Sequence, residues 1–517
     1  MVPSKVNPPK GGKNKERPVD FVNNHKSHIL LFCAAFAFFS IFAPLGQVVS
    51  DTAYSVETAK SLVYRKSLSI DKNWVLRFAK PGQNGKYYSK YGLGYALSFV
   101  PQICAVAVLS KVLPTNRDYL ERFILSFTNT FYASCIAALL FLLFARLGYS
   151  GKSSFAAVAA ICASSVLLPY SKIIQSETLS TVLLVLFLLL AAENKKIGPI
   201  NGAFLGAIVS GLYGIKISNV IFGLVIAGHV AFQIRKGNST RGGITAFLAL
   251  AAAPLCAIVA LNWVRFGSLM NFGYGAEQSQ FSTPLLLGLR GLLFSPSKSL
   301  FVFSPLIVLG LFGVKTFYAK HRTVAAAILA LTVIDILFYA RWHDWQGGWA
   351  WGPRLIVPVM ILLHVFCVEF FAASKRPIML KIIFVVVLIW GIGVQFLGSM
   401  ISYQQIHYFY SDPYSIKMSQ IALASKLLVH KMQGKKEIYS GEDFAINSDE
   451  KPYVRDGKMF GGKVYNFEDR GTFLGFSTLW SGLHHNFGWK YIEYVPLALL
   501  LFSVVFGYKA WKTIPSI

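Results

Sequence analysis

Asp51 follows a long apolar run, Ile29–Val49, and so stands where the chain would leave a membrane. A carboxylate at the mouth of a span can orient or deprotonate a hydroxyl in a partly dry cleft. Taken alone, the position suits a helix N-cap better, because an amphipathic stretch, Thr52–Tyr64, comes directly after it. The same polar region closes on Lys86-Tyr87-Tyr88-Ser89-Lys90-Tyr91-Gly92-Leu93-Gly94. Amines at that depth can pair with a lipid phosphate, and glycines let a head group approach the backbone. Snorkelling lysines and interfacial tyrosines are the commoner meaning of such a pattern.

Further along, Pro169–Lys172 and Gln175–Glu177 form a polar turn with one acid, Glu177. Lys216 interrupts an apolar run from Ile200 to Val230, where a lysine costs on the order of 2.5–3.5 kcal/mol at a helix centre. A lipid phosphate or Glu177 would be its partner. Arg265, Arg290 and Lys298 add cations. The densest polar stretch is Trp342–Arg354, which contains His343, Asp344, Trp345 and four of the ten tryptophans. Indoles stack on sugar faces, and His343 and Asp344 can bond hydroxyls. An aromatic belt at the interface is the alternative, but it does not require His, Asp and paired glycines between the rings. Adjacent His343 and Asp344 do not make a closed metal site. Asp335 lies inside an apolar run, where Lys216, Arg341 or a proton pathway would account for it.

The elements that must position these groups follow from composition. Of the 517 residues, 54% are apolar and 14% charged, with mean hydropathy +0.51. These values exclude an ordinary soluble enzyme and describe an all-α polytopic membrane protein, because backbone polar groups in lipid must be satisfied within helices. Expected spans are Ile29–Val49, Arg122–Ala145, Ser154–Leu168, Thr178–Ala192, Ile200–Gly214, Asn219–Phe232, Ile244–Val264, Leu300–Val314, Thr323–Ala340, Leu355–Phe371, Ile382–Leu397 and Tyr494–Phe506. That gives about twelve transmembrane helices.

The net charge of +27 sits in short connections at Arg146–Lys152, Lys195–Lys196, Arg235–Arg241, Lys315–Arg322, Lys375–Lys381 and Lys509–Lys512. Such placement is the positive-inside pattern and not a nucleic-acid groove. With both tails cytoplasmic, all six connections fall on that side. Leu93–Leu113, broken by Pro101, is then an interfacial or re-entrant helix in the first outer loop. The polar groups above, from Asp51 to Arg354, fall on the outer face. The expected organisation is a basic disordered tail (residues 1–28), a membrane core (29–399) with its outer loop at 50–121, an outer domain (400–490) and a last span with its tail (491–517). Strands are expected around Lys451–Phe467. The six cysteines are scattered through apolar segments without metal-ligand spacing.

The order of these motifs resembles the GT-C integral-membrane glycosyltransferases that use polyprenyl-phosphate sugars, among them relatives of protein mannosyltransferases and of the lipid A aminoarabinose transferase. The resemblance runs from about Asp51 to Pro358 and leaves Ser402–Lys490 unassigned. It implies a GT-C fold and transfer of a sugar from a polyprenyl-phosphate carrier to a glycan, lipid or protein acceptor on the outer face. It implies Asp51 as general base on the acceptor, Glu177 at the place of a second acid, and Lys90 on the donor phosphate. Lys86, Tyr88, Lys216, Arg265 and Arg290 are the further candidates for the phosphate or lipid, and His343, Asp344, Trp345 and Arg354 for sugar or acceptor. No cofactor is required. A divalent cation has weak support, since Asp51-Thr52 stands where many relatives have two adjacent acids and the second site lacks Asp-x-Asp. Two rival readings are a lipid-linked-sugar transporter, with Lys216 and Asp335 as relay charges, and a GT-C ligase or polymerase that uses a diphosphate-linked glycan.

Overall fold

The computed structural model describes residues 25–44, 50–70, 79–193, 195–275, 280–348, 350–401, 403, 406, 412–433, 453–455, 458–460, 478–480 and 491–514. Residues 1–24 of the tail expected at 1–28, most of the 400–490 segment and Trp349 lie outside them, and residues 25–28 belong to a helix instead.

The chain opens with α1 (His25–Ser40) and the amphipathic α2 (Ser50–Arg65), which turns Tyr54, Val56 and Ala59 inward. A short hairpin follows, β1 (Ala79–Pro81) against β2 (Tyr87–Ser89), antiparallel with Lys80 opposite Tyr88. The stretch expected to lie at the interface is two helices, α3 (Leu93–Leu97) and α4 (Val100–Leu109). Pro101 sits in the first turn of α4, where a missing amide costs nothing. Next come α5 (Arg117–Ser126), capped by the Asn116 side chain, and α6 (Thr128–Arg146). The core continues with α7 (Gly151–Ser164), α8 (Leu167–Lys172), α9 (Ser176–Ala192) and α10 (Pro199–Ile215). It then runs through α11 (Val220–Arg235) and α12 (Arg241–Phe266), the latter capped by Thr240 and stopped by left-handed Gly267.

The second half contains α13 (Leu285–Phe294), α14 (Leu300–Phe303), α15 (Leu306–Lys320) and α16 (Arg322–Arg341). After the Trp342–Arg354 segment come α17 (Val357–Leu363), α18 (Val368–Ala372), α19 (Ile378–Met400), α20 (Gln420–Met432) and α21 (Val495–Thr513). Two further three-residue strands, β3 (Tyr453–Arg455) and β4 (Lys458–Phe460), pair antiparallel within the 400–490 segment. Among the described residues, seven helices are long and apolar enough to cross a membrane, and six shorter apolar helices accompany them. Every expected span contains helix, although those at Ser154–Leu168 and Leu300–Val314 are not among these thirteen, and the chain is a multi-pass helical membrane protein. The helices around 241–266 and 495–513 leave almost all of their apolar surface outward, as lipid-facing helices do.

The bundle has two chemically different ends. At one, the six basic connections are tied together. Arg146 pairs with Glu193, Ile197 bridges Ser239, Tyr149 donates to Glu369, Lys320 pairs with Glu369 at 2.7 Å, and Lys152 lies over Trp511. At the other end, Asp51, Glu177, Lys216 and Arg354 meet. Helix α9 runs from the second group, at Glu177, to the first, at Glu193, and the 354–372 segment runs likewise from Arg354 to Glu369.

The first loop is locked to the core through glycine. A Cβ on Gly92 would stand 2.3 Å from the Gly214 carbonyl oxygen, and one on Gly94 2.6 Å from the Gly214 carbonyl carbon. The sequence suggested a lipid head group approaching these glycines; the Gly214 backbone at the end of α10 takes that space instead. Gly94→Ala forces α3 off α10, and melting in detergent should show a loss of about 1–3 kcal/mol.

Candidate active site

Asp51 lies in the first turn of α2. Its side chain does more than a helix cap would. One carboxylate oxygen accepts a hydrogen bond from the Tyr91 hydroxyl at 2.8 Å, and the other meets Arg354 Nη1 at 2.9 Å. The same guanidinium places Nε 3.0 Å from Glu177 Oε1. Lys216 Nζ stands 3.5 Å from that Glu177 oxygen and over the Tyr339 ring, whose hydroxyl pairs with Ser218 at 2.8 Å. One polar chain therefore runs from Tyr91 through Asp51, Arg354, Glu177 and Lys216 to Tyr339.

Burial assigns different work to the two acids. The Asp51 side chain is 28% exposed and that of Glu177 3%. Asp51 can meet a substrate. Glu177 is sealed, so its expected part as a second catalytic acid is replaced by holding Arg354. Of the two partners the sequence offered Lys216, a lipid phosphate or Glu177, it meets Glu177. Arg354, expected on a sugar, is committed to the two carboxylates. Burial pushes the Asp51 carboxyl up, but Arg354, the Tyr91 hydroxyl and Lys90 outweigh it and hold the group below its ordinary range. Asp51 is ionised at neutral pH.

Local structure explains how these groups are placed. Thr52 donates to the Ile174 carbonyl, which fixes α2 to the turn carrying Glu177. The Asn129 amide sits among Tyr170 O, Gln175 O and Thr178 Oγ1 at 3.2, 3.1 and 3.1 Å, so one buried side chain organises that turn. The Tyr170 hydroxyl donates to Trp351 O at 3.0 Å, just before Arg354.

The donor-side candidates divide. Lys90 is buried, 5.1 Å from the Tyr274 ring centre, and close enough to Asp51 to act on its ionisation. Arg265 reaches the neighbouring Ser89 carbonyl at 3.4 Å and lies 5.0 Å from the Phe266 ring centre. Lys90 and Arg265 thus meet at Ser89, with Lys90 facing Asp51. Tyr88 is consumed by packing: its ring meets Phe266 and its hydroxyl accepts from Asn84. Lys86 is exposed at the hairpin, and among the described residues no bond joins it to Asp51 or Arg354.

The indole-rich segment is packed differently from a sugar platform. Trp345 is 5% exposed, and a Cβ on Gly291 would stand 2.2 Å from its ring. With Tyr414 also beside it, Trp345 has no open face for stacking, which corrects its expected part in sugar binding. Trp351 is fully buried. Arg290 is exposed, 5.1 Å from the Tyr414 ring centre. His343 is exposed, its ring 4.7 Å from that of Trp342, and Asp344 accepts from the Gly348 amide at 3.2 Å. Burial raises the Asp344 carboxyl despite the Gly348 amide and Lys298. Lys298, which the sequence offered only as one cation among several, is fully buried and donates to Gly348 O at 3.3 Å and Ala350 O at 2.8 Å. Burial lowers its amine to about 7. The Ser-Pro-Ser turn before it marks a chain reversal but does not announce a buried lysine.

No family model and no curated protein matches the chain. One solved structure with a similar course is ArnT from Cupriavidus metallidurans bound to undecaprenyl phosphate, at 11% identity and TM-score 0.45 over 79% of this chain and 72% of that one. At that identity the function has to be read from this chain's own side chains.

Tyr91→Phe removes a hydrogen bond to a charged acceptor, worth about 1.5 kcal/mol at a partly exposed carboxylate. Because Asp51 is held low in the folded state, its stabilisation is present above about pH 4 and is lost as pH falls through the folded value. The difference in melting between variant and wild type should therefore be full at neutral pH and shrink in acid.

Proposed function

We propose that the chain is a GT-C-type glycosyltransferase, which moves a sugar from a polyprenyl-phosphate carrier to a glycan, lipid or protein acceptor on the extracytoplasmic face. The observation that carries this reading is an ionised, accessible Asp51 with Lys90 near enough to act on its charge, and Arg265 bound to the neighbouring Ser89 carbonyl, at the end of the bundle opposite its basic connections. By the positive-inside pattern that end is extracytoplasmic and both termini are cytoplasmic. About twelve spans, the interfacial α3–α4 and an outer 400–490 domain belong to the same proposal.

Asp51 accepts the proton of an acceptor hydroxyl as its oxygen attacks the anomeric carbon. The bond from that carbon to the phosphate oxygen breaks, and the polyprenyl phosphate leaves with the electron pair. Lys90 and Arg265 compensate the charge that grows on the phosphate, where preorganised cations act most strongly. Tyr91 and Arg354 fix the direction of the Asp51 carboxylate, and positioning of this kind lowers the barrier without new bonds.

A second reading has its own observation. Asp335 in α16 is fully buried, and neither oxygen has a hydrogen-bond partner among the described residues. An intramembrane carboxylate of this sort suits a transporter. Purified protein in detergent, with no second compartment, distinguishes the two: sugar transfer from a polyprenyl-phosphate donor supports the enzyme, and its absence there with uptake across vesicles supports transport. A diphosphate-linked donor run in parallel tests the ligase reading.

Asp51→Asn should lower turnover by about 10²- to 10⁴-fold while the variant still folds. Lys90→Ala should raise the donor KM far more than it changes acceptor KM; equal effects on both would remove Lys90 from the phosphate.

A further inference from the structure

We propose that Arg354 is a built-in cation occupying the place between Asp51 and Glu177 that a divalent metal ion would otherwise take, so that the site works without metal. The proposal rests on the reading of Asp51 as the reacting acid.

The two carboxylates come from separate elements, α2 and α9, and converge on adjacent nitrogens of one guanidinium at 2.9 and 3.0 Å. The guanidinium of Arg354 itself fills the space between the two carboxylates, one held at Nη1 and the other at Nε. The surrounding donor set agrees. Divalent magnesium or calcium needs six or more oxygen ligands, yet among the described residues no three His, Cys, Asp or Glu gather anywhere. Charge points the same way: Asp51 and Glu177 face Arg354, Lys216 and Lys90, two negative groups against three positive. Adding two more positive charges would oppose the field already present. The weak support the sequence gave a divalent cation therefore meets a site whose residues do not fit one.

An arginine differs from an ion in ways that matter here. It cannot dissociate, it stays charged at every working pH, and its rigid planar N–H groups set the direction of both carboxylates. Arg354 acts through Asp51 and is a positioning residue. Glu177, sealed from solvent, and Lys216 behind it complete the mount.

The test uses the full-length protein in detergent, with Mn²⁺ as probe and paramagnetic resonance as readout, alongside transfer assays with and without EDTA. The expected result is equal free Mn²⁺ for wild type and Asp51→Asn, and unchanged turnover in EDTA. Arg354→Ala should lose about 10²-fold in turnover and regain part of it with added guanidinium but not with Mn²⁺. Arg354→Lys keeps the charge without the planar N–H groups and should remain impaired, which covers the case in which the alanine variant does not fold. Mn²⁺ bound by wild type and released by Asp51→Asn, or turnover lost in EDTA and restored by metal, would overturn the proposal. If wild type transfers no sugar from any polyprenyl-phosphate donor, the glycosyltransferase reading fails, while the Mn²⁺ measurement still decides the place of Arg354.

Discussion

The structure depends on one guanidinium. Arg354 binds Asp51 from the start of α2 and Glu177 from the start of α9, so one side chain ties the charged groups of the first loop to those of the core. Taking three charges out of water is costly, and such a cluster persists only when each charge is answered. Here Glu177 is answered twice, by Arg354 and Lys216, and Asp51 by Arg354 and the Tyr91 hydroxyl. Removing one member leaves the others buried and unpaired, so the group behaves as a unit. It also divides labour between like residues: one carboxylate remains accessible and the other is spent on holding its partner.

Around this cluster the chain places rigid supports of ordinary kinds. Asn129 ties the turn before Glu177, Lys298 ties the carbonyls before Arg354, and the Gly94–Gly214 approach brings α3 against the end of α10 just before Lys216. Each support is a buried donor meeting backbone oxygens or a backbone meeting a backbone, which are the least adjustable contacts available. The geometry of Asp51 is thereby set from several sides before any ligand arrives. At the far end of the bundle, Tyr149, Glu369 and Lys320 make a comparable knot, which fixes the basic connections relative to one another.

The fold was legible to the extent that it follows from solvent. An apolar run of span length has to form a helix in lipid, and basic connections have to share a face, so the order of helices and the two-ended character could be read along the chain. Asp51 and Lys90 stood out as well, because a charge at the mouth of an apolar run is an exception that needs a reason, though their neighbours did not. Trp345 was misleading because a tryptophan-rich segment has the same composition whether its rings are open to a sugar or packed on glycine. Only Gly291, on another helix, shows which. Glu177 and Arg354 were likewise visible as charges while their allegiance to each other was not.

Composition and periodicity by themselves determined that this is a multi-pass helical protein with acids and cations clustered in a few polar turns. Those properties are local: each depends on a window of neighbouring residues and on the bilayer as solvent. The tertiary structure decided which carboxylate is open, which is sealed, and that one arginine serves both. Those outcomes depend on pairings between residues hundreds of positions apart. A charge carries no mark in the sequence of the partner that will neutralise it; packing alone selects that partner, by distance and by exclusion of water.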